Sequence, residues 1–393
     1  MIIQSRRVWV LNTWLEARIE FSETDGKIIG ICPRRPAGSE EEILDFGDLR
    51  IVPGFIDVHT HGGFGFDTND ADEEGLRGWA KSLVLEGVTG FLPTTITQSE
   101  EILTAALRNV AKVALGSARD VEAVDYEGAG ILGVHLEGPW LDRAFKGAHK
   151  EQYCAEPDAE QFRRFQEAAG GLIRIVTMAC EHDKDRALTR WMAEQGIVVS
   201  LGHSSASYEE AAMAFANGAR SVTHVYNGMA PFHHRDPGIV GAAMRFRNVF
   251  GEIICDCVHS APTALNDYFT AKGPDYGVLI TDSIRVKGLP VGTTSRFGGN
   301  LIELCPDGVA RLVSGSGCIA GSVLKVNEGL RNLVEKAEVP WQTAINACTI
   351  NPARLIGLER SKGSLQAGKD ADIVVLREDY TVEAVYVRGK RYV

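Results

Sequence analysis

Six residues able to bind a metal or move a proton close successive apolar runs of this 393-residue chain. His59 and His61 stand one residue apart in Asp57-Val58-His59-Thr60-His61, so in an extended segment both imidazoles leave from the same side. Glu137 ends His135-Leu136-Glu137-Gly138-Pro139, His203 follows Gly202, His224 follows Thr223, and Asp282 follows Thr281. Imidazoles and carboxylates without thiolate suit a divalent metal such as Zn, Fe, Co or Mn better than copper or an iron–sulfur cluster. Six ligands exceed one tetrahedral ion but suit one or two ions sharing a carboxylate. His59 and His61 would hold one ion and His203 and His224 the second. Glu137 could bridge, and Asp282 would complete the set beside the reacting water. Taken singly, each residue has a blander explanation: a chance His pair, a helix N-cap, a hydrogen-bonded core imidazole. Their shared position at run ends favours the metal.

The elements that must position these residues are short. Apolar, β-branched runs recur as "LRIVPGFID", "TGFLPTT", "GILGVHL", "IRIVTMA", "IVVSLG", "SVTHV", "EIICDC" and "GVLIT" between residues 49 and 282. Amphipathic stretches at 73–87, 99–115, 158–169, 183–195, 206–217 and 260–272 separate most of them. Near-continuous apolar strands alternating with helices imply a parallel sheet covered on both faces. Eight such units predict a (β/α)8 TIM barrel, with an open doubly wound sheet as the alternative. Barrel enzymes keep their chemistry at the C-terminal ends of the strands, which is where the six residues fall. Both chain ends read as β: "RVWVLN" and "ARIEFSETDGKIIGI" with an Asp25-Gly26 turn, then "ADIVVL" and "VEAVYVRGKRYV" with a turn at Gly389-Lys390. The expected α/β architecture is a barrel over 51–354, with a small β-sandwich domain built from both chain termini, 1–50 and 355–393.

Composition limits the partners. Forty-one Lys+Arg against 52 Asp+Glu leave a net charge of −11, which argues against a nucleic-acid binder or a polybasic membrane anchor. An anionic substrate would need a local cluster of positive groups. No run of eighteen apolar residues and no signal-peptide h-region is present. The eight cysteines form no Cys-x-x-Cys, and a reducing cytoplasm is the expected compartment. No P-loop occurs, and Gly202-His203-Ser204-Ser205-Ala206 only approaches a nucleophile elbow.

The motifs "PGFIDVHTHGG", "GVTGFLPTT", "GVHLEGPWL", "KGAH", "LGHSSA", "THVYNGM", "FHHRDPG", "TDS" and "IAGS", spanning about residues 51–325, resemble the amidohydrolase superfamily. "HLEGP" with downstream "KGAH" resembles, more narrowly, its N-acetylglucosamine-6-phosphate deacetylase branch. The terminal "GSLQAGKDADIVVL" is similar to the superfamily's returning β-domain. Many binuclear members bridge their metals with a carbamylated lysine on the fourth strand. Here "IRIVTMACEHD" offers none at its end, and Glu137 supplies a permanent carboxylate instead. The resemblance implies metal-dependent release of acetate from a phosphorylated N-acetyl amino sugar in amino-sugar catabolism. It implies Asp282 as proton acceptor and then donor, and His149 of "KGAH" as the imidazole that polarises or orients the carbonyl. It places Ala148, His149, Asn227, Gly228, Arg235, His259, Ile319, Ala320 and Gly321 against substrate, with Arg235 of "HHRDPG" on the phosphate. A homodimer is expected, with a basic residue of one subunit able to reach the other's site. Gly228 stands where the branch commonly has alanine, and Cys257 where it has glycine; these departures leave the sugar epimer open. The alternatives are the galactosamine epimer, another N-acyl compound such as an N-acyl amino acid, and a non-catalytic metal-binding barrel.

Overall fold

The computed structural model describes residues 1–36, 42–116, 127–314 and 317–393. Its centre is a ring of eight parallel strands: Phe55–Thr60, Val88–Thr95, Val134–Glu137, Ile173–Met178, Val198–Leu201, Ser221–Val222, Phe250–Ile254 and Gly277–Ile280. Each pairs in parallel with the next in chain order. All eight match the expected runs. Most are buried along their whole length, as strands covered on both faces must be. Helices Glu73–Leu83, Glu100–Leu115, Ala159–Ala168, Ala187–Glu194, Tyr208–Ala216 and Pro262–Lys272 lie within the expected stretches. The helix after the His203 strand opens on a capping box, in which the Glu210 N–H donates to Ser207 Oγ and the Ser207 N–H to Glu210 Oε2.

Three features were not anticipated. The run "LRIVPGFID" is two strands, because Arg50–Pro53 pairs within the terminal sheet and Phe55–Thr60 enters the barrel. The switch falls at Gly54, where a Cβ would lie 2.1 Å from Thr89 Oγ1. Helix Gly238–Arg245 carries too few polar residues to show an amphipathic pattern. After the eighth strand, Thr294–Phe297, Asn300–Leu304 and Ala310–Leu312 form an antiparallel meander. It buries Phe297, Ile302 and Leu304 against Ile96, Ile284 and Ala320 at the barrel mouth.

Both chain ends build one eight-stranded sheet around its own apolar core of Ile3, Ile19, Phe21, Ile51, Ile373 and Tyr386. Strands Ile2–Val10 and Thr13–Phe21 turn through Leu11 and Asn12, both with positive φ.

The barrel closes beside the first His pair. The Asp282 N–H donates to His59 O at 2.9 Å. Fully buried Asp57 serves both strands: its Oδ1 accepts the N–H groups of His59 (3.3 Å) and Thr281 (3.4 Å), and its Oδ2 accepts Thr281 Oγ1 at 2.6 Å. Removing that acceptor strands buried donors on the two strands that carry His59 and Asp282. Asp57→Ala is therefore expected to destabilise the fold by about 3 kcal/mol, and Asp57→Asn, which keeps an acceptor oxygen, by about 1 kcal/mol. Urea unfolding checks this; equal losses would exclude the bridging role.

Candidate active site

At the C-terminal mouth, five imidazoles converge on one carboxylate. Glu137 Oε1 lies 3.5 Å from His59 Nε2, 3.3 Å from His203 Nε2 and 3.2 Å from His224 Nε2. Its Oε2 lies 3.3 Å from His61 Nε2 and 3.2 Å from His149 Nε2. Asp282 Oδ1 stands 3.2 Å from His61 Nε2 and 3.6 Å from His59 Nε2. All six candidate ligands therefore meet, and almost no water reaches them.

The partners of the opposite ring nitrogens assign roles. Nδ1 of His61, His203 and His224 faces the carbonyls of Thr94 (3.2 Å), Phe145 (2.8 Å) and Asn227 (3.1 Å). A carbonyl only accepts, so each Nδ1 carries hydrogen, and in the neutral ring Nε2 turns a lone pair inward. His59 Nδ1 meets Glu252 Oε2 at 2.9 Å, while its buried Nε2 has no hydrogen-bond partner. Carboxylate- or carbonyl-backed imidazoles of this kind are the usual arrangement around a bound metal. His203 and His224 approach at 3.0 Å, nitrogen to nitrogen, a contact satisfied by a proton on one of the two rings or by a metal ion that both would ligate. The donor set thus fits metal. His149 differs. Its Nδ1 accepts the Thr97 N–H at 3.3 Å, so the hydrogen sits on Nε2, and this ring offers the site a donor rather than a lone pair.

Charge follows the same geometry. Burial opposes charge on His61, but hydrogen bonds and attraction from Asp282 and Glu137 outweigh it and raise the group to about 10. Burial opposes charge on His224 too, and Glu137 raises it to about 9. Burial dominates at His59 and at His149, which are pushed down to about 4. Although burial works against it, Glu137 stays well below the usual carboxylate range, held by His59 and His149. Glu252, buried behind His59, is pushed up to about 7.

Above this cluster lies a cavity of about 240 Å³. Ala148, His149, Asn227, Gly228, His259, Ile319, Ala320 and Gly321 line it, all of them expected substrate contacts. Arg235 does not; it sits on an exposed loop with Nη1 2.8 Å from His234 Nε2. Gly228 has φ +60, and a Cβ there would lie 2.9 Å from His203 Nδ1 and 3.3 Å from His224 Cε1. Two contributors escaped the sequence reading. Glu252 had a signal, a carboxylate inside an apolar strand. Phe297, whose ring centroid lies 5.1 Å from that of His61, had none, because the meander was not foreseen.

A family model described as "Amidohydrolase family" matches residues 50–392. The chain belongs to the amidohydrolase family. This amidohydrolase is 40% identical to the N-acetylglucosamine-6-phosphate deacetylase of Bacillus subtilis, over 93% of this chain and 90% of that one. It is 37% identical to that of Bos taurus, over 89% and 85%. The solved N-acetyl-D-glucosamine-6-phosphate deacetylase of Mycobacterium smegmatis, in complex with N-acetyl-D-glucosamine-6-phosphate, superposes with a TM-score of 0.91 at 29% identity, covering 100% of this chain and 99% of that one. The family is metal-dependent, and this member places two candidate ligand groups at the mouth, His59–His61–Asp282 and Glu137–His149–His203. The tautomer argument removes His149 from the second. The fourth strand ends at Met178 and Lys184 lies beyond it in a short turn, so that strand brings no lysine to the cluster.

With His61 and His224 protonated in the ion-free site, a metal must displace their protons. Adding Zn²⁺ to chelator-stripped protein at pH 7.5 should release about two protons per filled pair of sites, and affinity should fall as the pH is lowered. Calorimetry in buffers of different ionisation enthalpy reads the number; zero release would show that both rings are neutral before the metal arrives.

Proposed function

We propose that this chain hydrolyses N-acetyl-D-glucosamine 6-phosphate to D-glucosamine 6-phosphate and acetate. The observation that carries the reading is the convergence of four inward-facing imidazole nitrogens on Glu137, with Asp282 at the same mouth. The deacetylase relatives supply the substrate. One or two divalent ions, Zn, Fe, Co or Mn, would be held by His59, His61 and Asp282 on one side, and by His203 and His224 on the other, with Glu137 between. Bound metal acidifies water to near neutrality and polarises a carbonyl.

The chain's own groups do the rest. Asp282 takes the proton of the water that attacks the acetyl carbon, forming the C–O bond. It then delivers that proton to the sugar nitrogen as the C–N bond breaks. One carboxylate serves twice because the first transfer prepares the second. His149, neutral and carrying hydrogen on Nε2, donates to the carbonyl oxygen as negative charge develops there. Asn227, Gly228, His259 and the Ile319–Gly321 segment hold the sugar phosphate.

Among the described residues no lysine or arginine lines the cavity, which supports a homodimer in which Arg235, on its exposed loop, serves the partner's phosphate. Eight free cysteines fit a reducing cytoplasm.

Acetate release from N-acetylglucosamine 6-phosphate, run beside metal analysis before and after chelation, tests the proposal. Activity should vanish with the metal and return with it; full turnover without metal would overturn the reading. Asp282→Asn should lower kcat by about 10²- to 10⁴-fold. The galactosamine epimer, assayed in parallel, should be turned over with lower kcat/KM. Sedimentation should give a dimer, and mixing inactive Arg235→Ala and Asp282→Asn proteins under subunit exchange should restore activity. No restoration would confine Arg235 to its own subunit.

A further inference from the structure

The cavity above the metal cluster meets a second one of about 410 Å³ at Val258 and His259, and the wall between them is the turn after the seventh strand. Asp256 builds that turn. Its Oδ1 accepts the N–H groups of Val258 and His259, both at 2.8 Å, across Cys257, whose φ is +64. Its Oδ2 meets His259 Nδ1 at 2.6 Å, a short charge-assisted contact. Both side chains are nearly buried, with 14% and 8% of their surface exposed. Asn332 anchors the preceding residue by donating from Nδ2 to Cys255 O at 2.9 Å. Burial disfavours the Asp256 charge, yet the His259 contact and the two backbone donors hold it below the usual carboxylate range.

We infer that Asp256 is the positioning residue for phosphate recognition: it keeps the hydrogen on His259 Nδ1, locks the ring in the cavity wall, and leaves Nε2 as the atom offered to the sugar phosphate. With Nδ1 committed to Asp256, Nε2 meets the phosphate and can share the proton of its P–OH group, on a wall where no lysine or arginine stands among the described residues. The uncharged end of the substrate, the acetamide, does not depend on this pair. The inference rests on the sugar phosphate proposed above as substrate, and one arm of its test does not.

In Asp256→Asn the side-chain oxygen can still accept the two backbone N–H groups, so the turn survives while the negative charge behind His259 is lost. KM for N-acetylglucosamine 6-phosphate should rise about 10- to 100-fold with kcat nearly unchanged. The kcat/KM for N-acetylglucosamine lacking the phosphate should stay as it is. Combining Asp256→Asn with His259→Ala should add little to His259→Ala alone, because the carboxylate acts through the ring. The second arm uses ¹⁵N-histidine-labelled metal-loaded protein titrated with inorganic phosphate. The His259 Nδ1–H signal should be present without ligand and shift on phosphate addition, and in Asp256→Asn both the signal and the response should weaken. Equal losses on both sugars, additive effects in the double variant, or an unaltered His259 response in Asp256→Asn would each overturn the inference. Failure of the wild type to turn over the sugar phosphate would instead strike the proposed activity, with the phosphate titration still deciding the role of Asp256.

Discussion

A carboxylate buried to 2% exposure is the constraint around which this protein is arranged. Left alone, the Glu137 anion would cost several kcal/mol of desolvation, so it requires positive charge at contact distance. Five ring nitrogens within 3.5 Å supply the setting, and four of them are directed inward by acceptors on their far side. Three of those acceptors are backbone carbonyls and the fourth is Glu252. The exception, His149, receives a backbone N–H instead. One hydrogen-bond reversal thus separates a ring that can ligate from a ring that can donate, although all five lie at similar distances from the same carboxylate.

Much of this was legible in the chain. Parallel strands buried on both faces read as apolar runs, so all eight could be counted, and the polar residues closing them stood out against that background. What escaped did so for physical reasons. Gly54 ends one strand and starts another because backbone meets Thr89 there, a tertiary contact invisible in "LRIVPGFID". The meander at 294–312 packs on Ile96 and Ile284, far away in sequence, and no local pattern announces that it will bring Phe297 to the mouth. Arg235 was read from the family resemblance and the charge of "HHRDPG", and its exposed loop keeps it off the cavity of its own subunit.

The net charge of −11 acquires a local meaning. Four carboxylates, Asp57, Glu137, Glu252 and Asp282, are packed into the upper barrel, which suits a centre that gathers cations. The same field opposes an anionic substrate. Among the described residues, the loops after the sixth and seventh strands bring Asn227, Gly228 and His259 to the cavity wall, and no lysine or arginine lines it.

Those loops also explain how the cluster is held. His59 and Glu137 sit within regular strands, but His203, His224 and Asp282 lie just past strand ends with φ of 47°, 29° and 50°. Left-handed backbone at such residues costs about 1–3 kcal/mol each, so something outside the strand must impose it. The Asp142 N–H donates to His203 O, the Asn227 N–H to His224 O, and the Ser322 N–H to Asp282 O. Each donor belongs to a segment that also touches the cavity: the stretch leading to Ala148 and His149, the turn of Asn227 and Gly228, and the residue after Gly321. The barrel delivers these candidate ligands to the mouth, and the cavity-lining loops set their final orientation. The loops that line the cavity and the candidate metal ligands are therefore mechanically one unit, and a change in either must be read through the other.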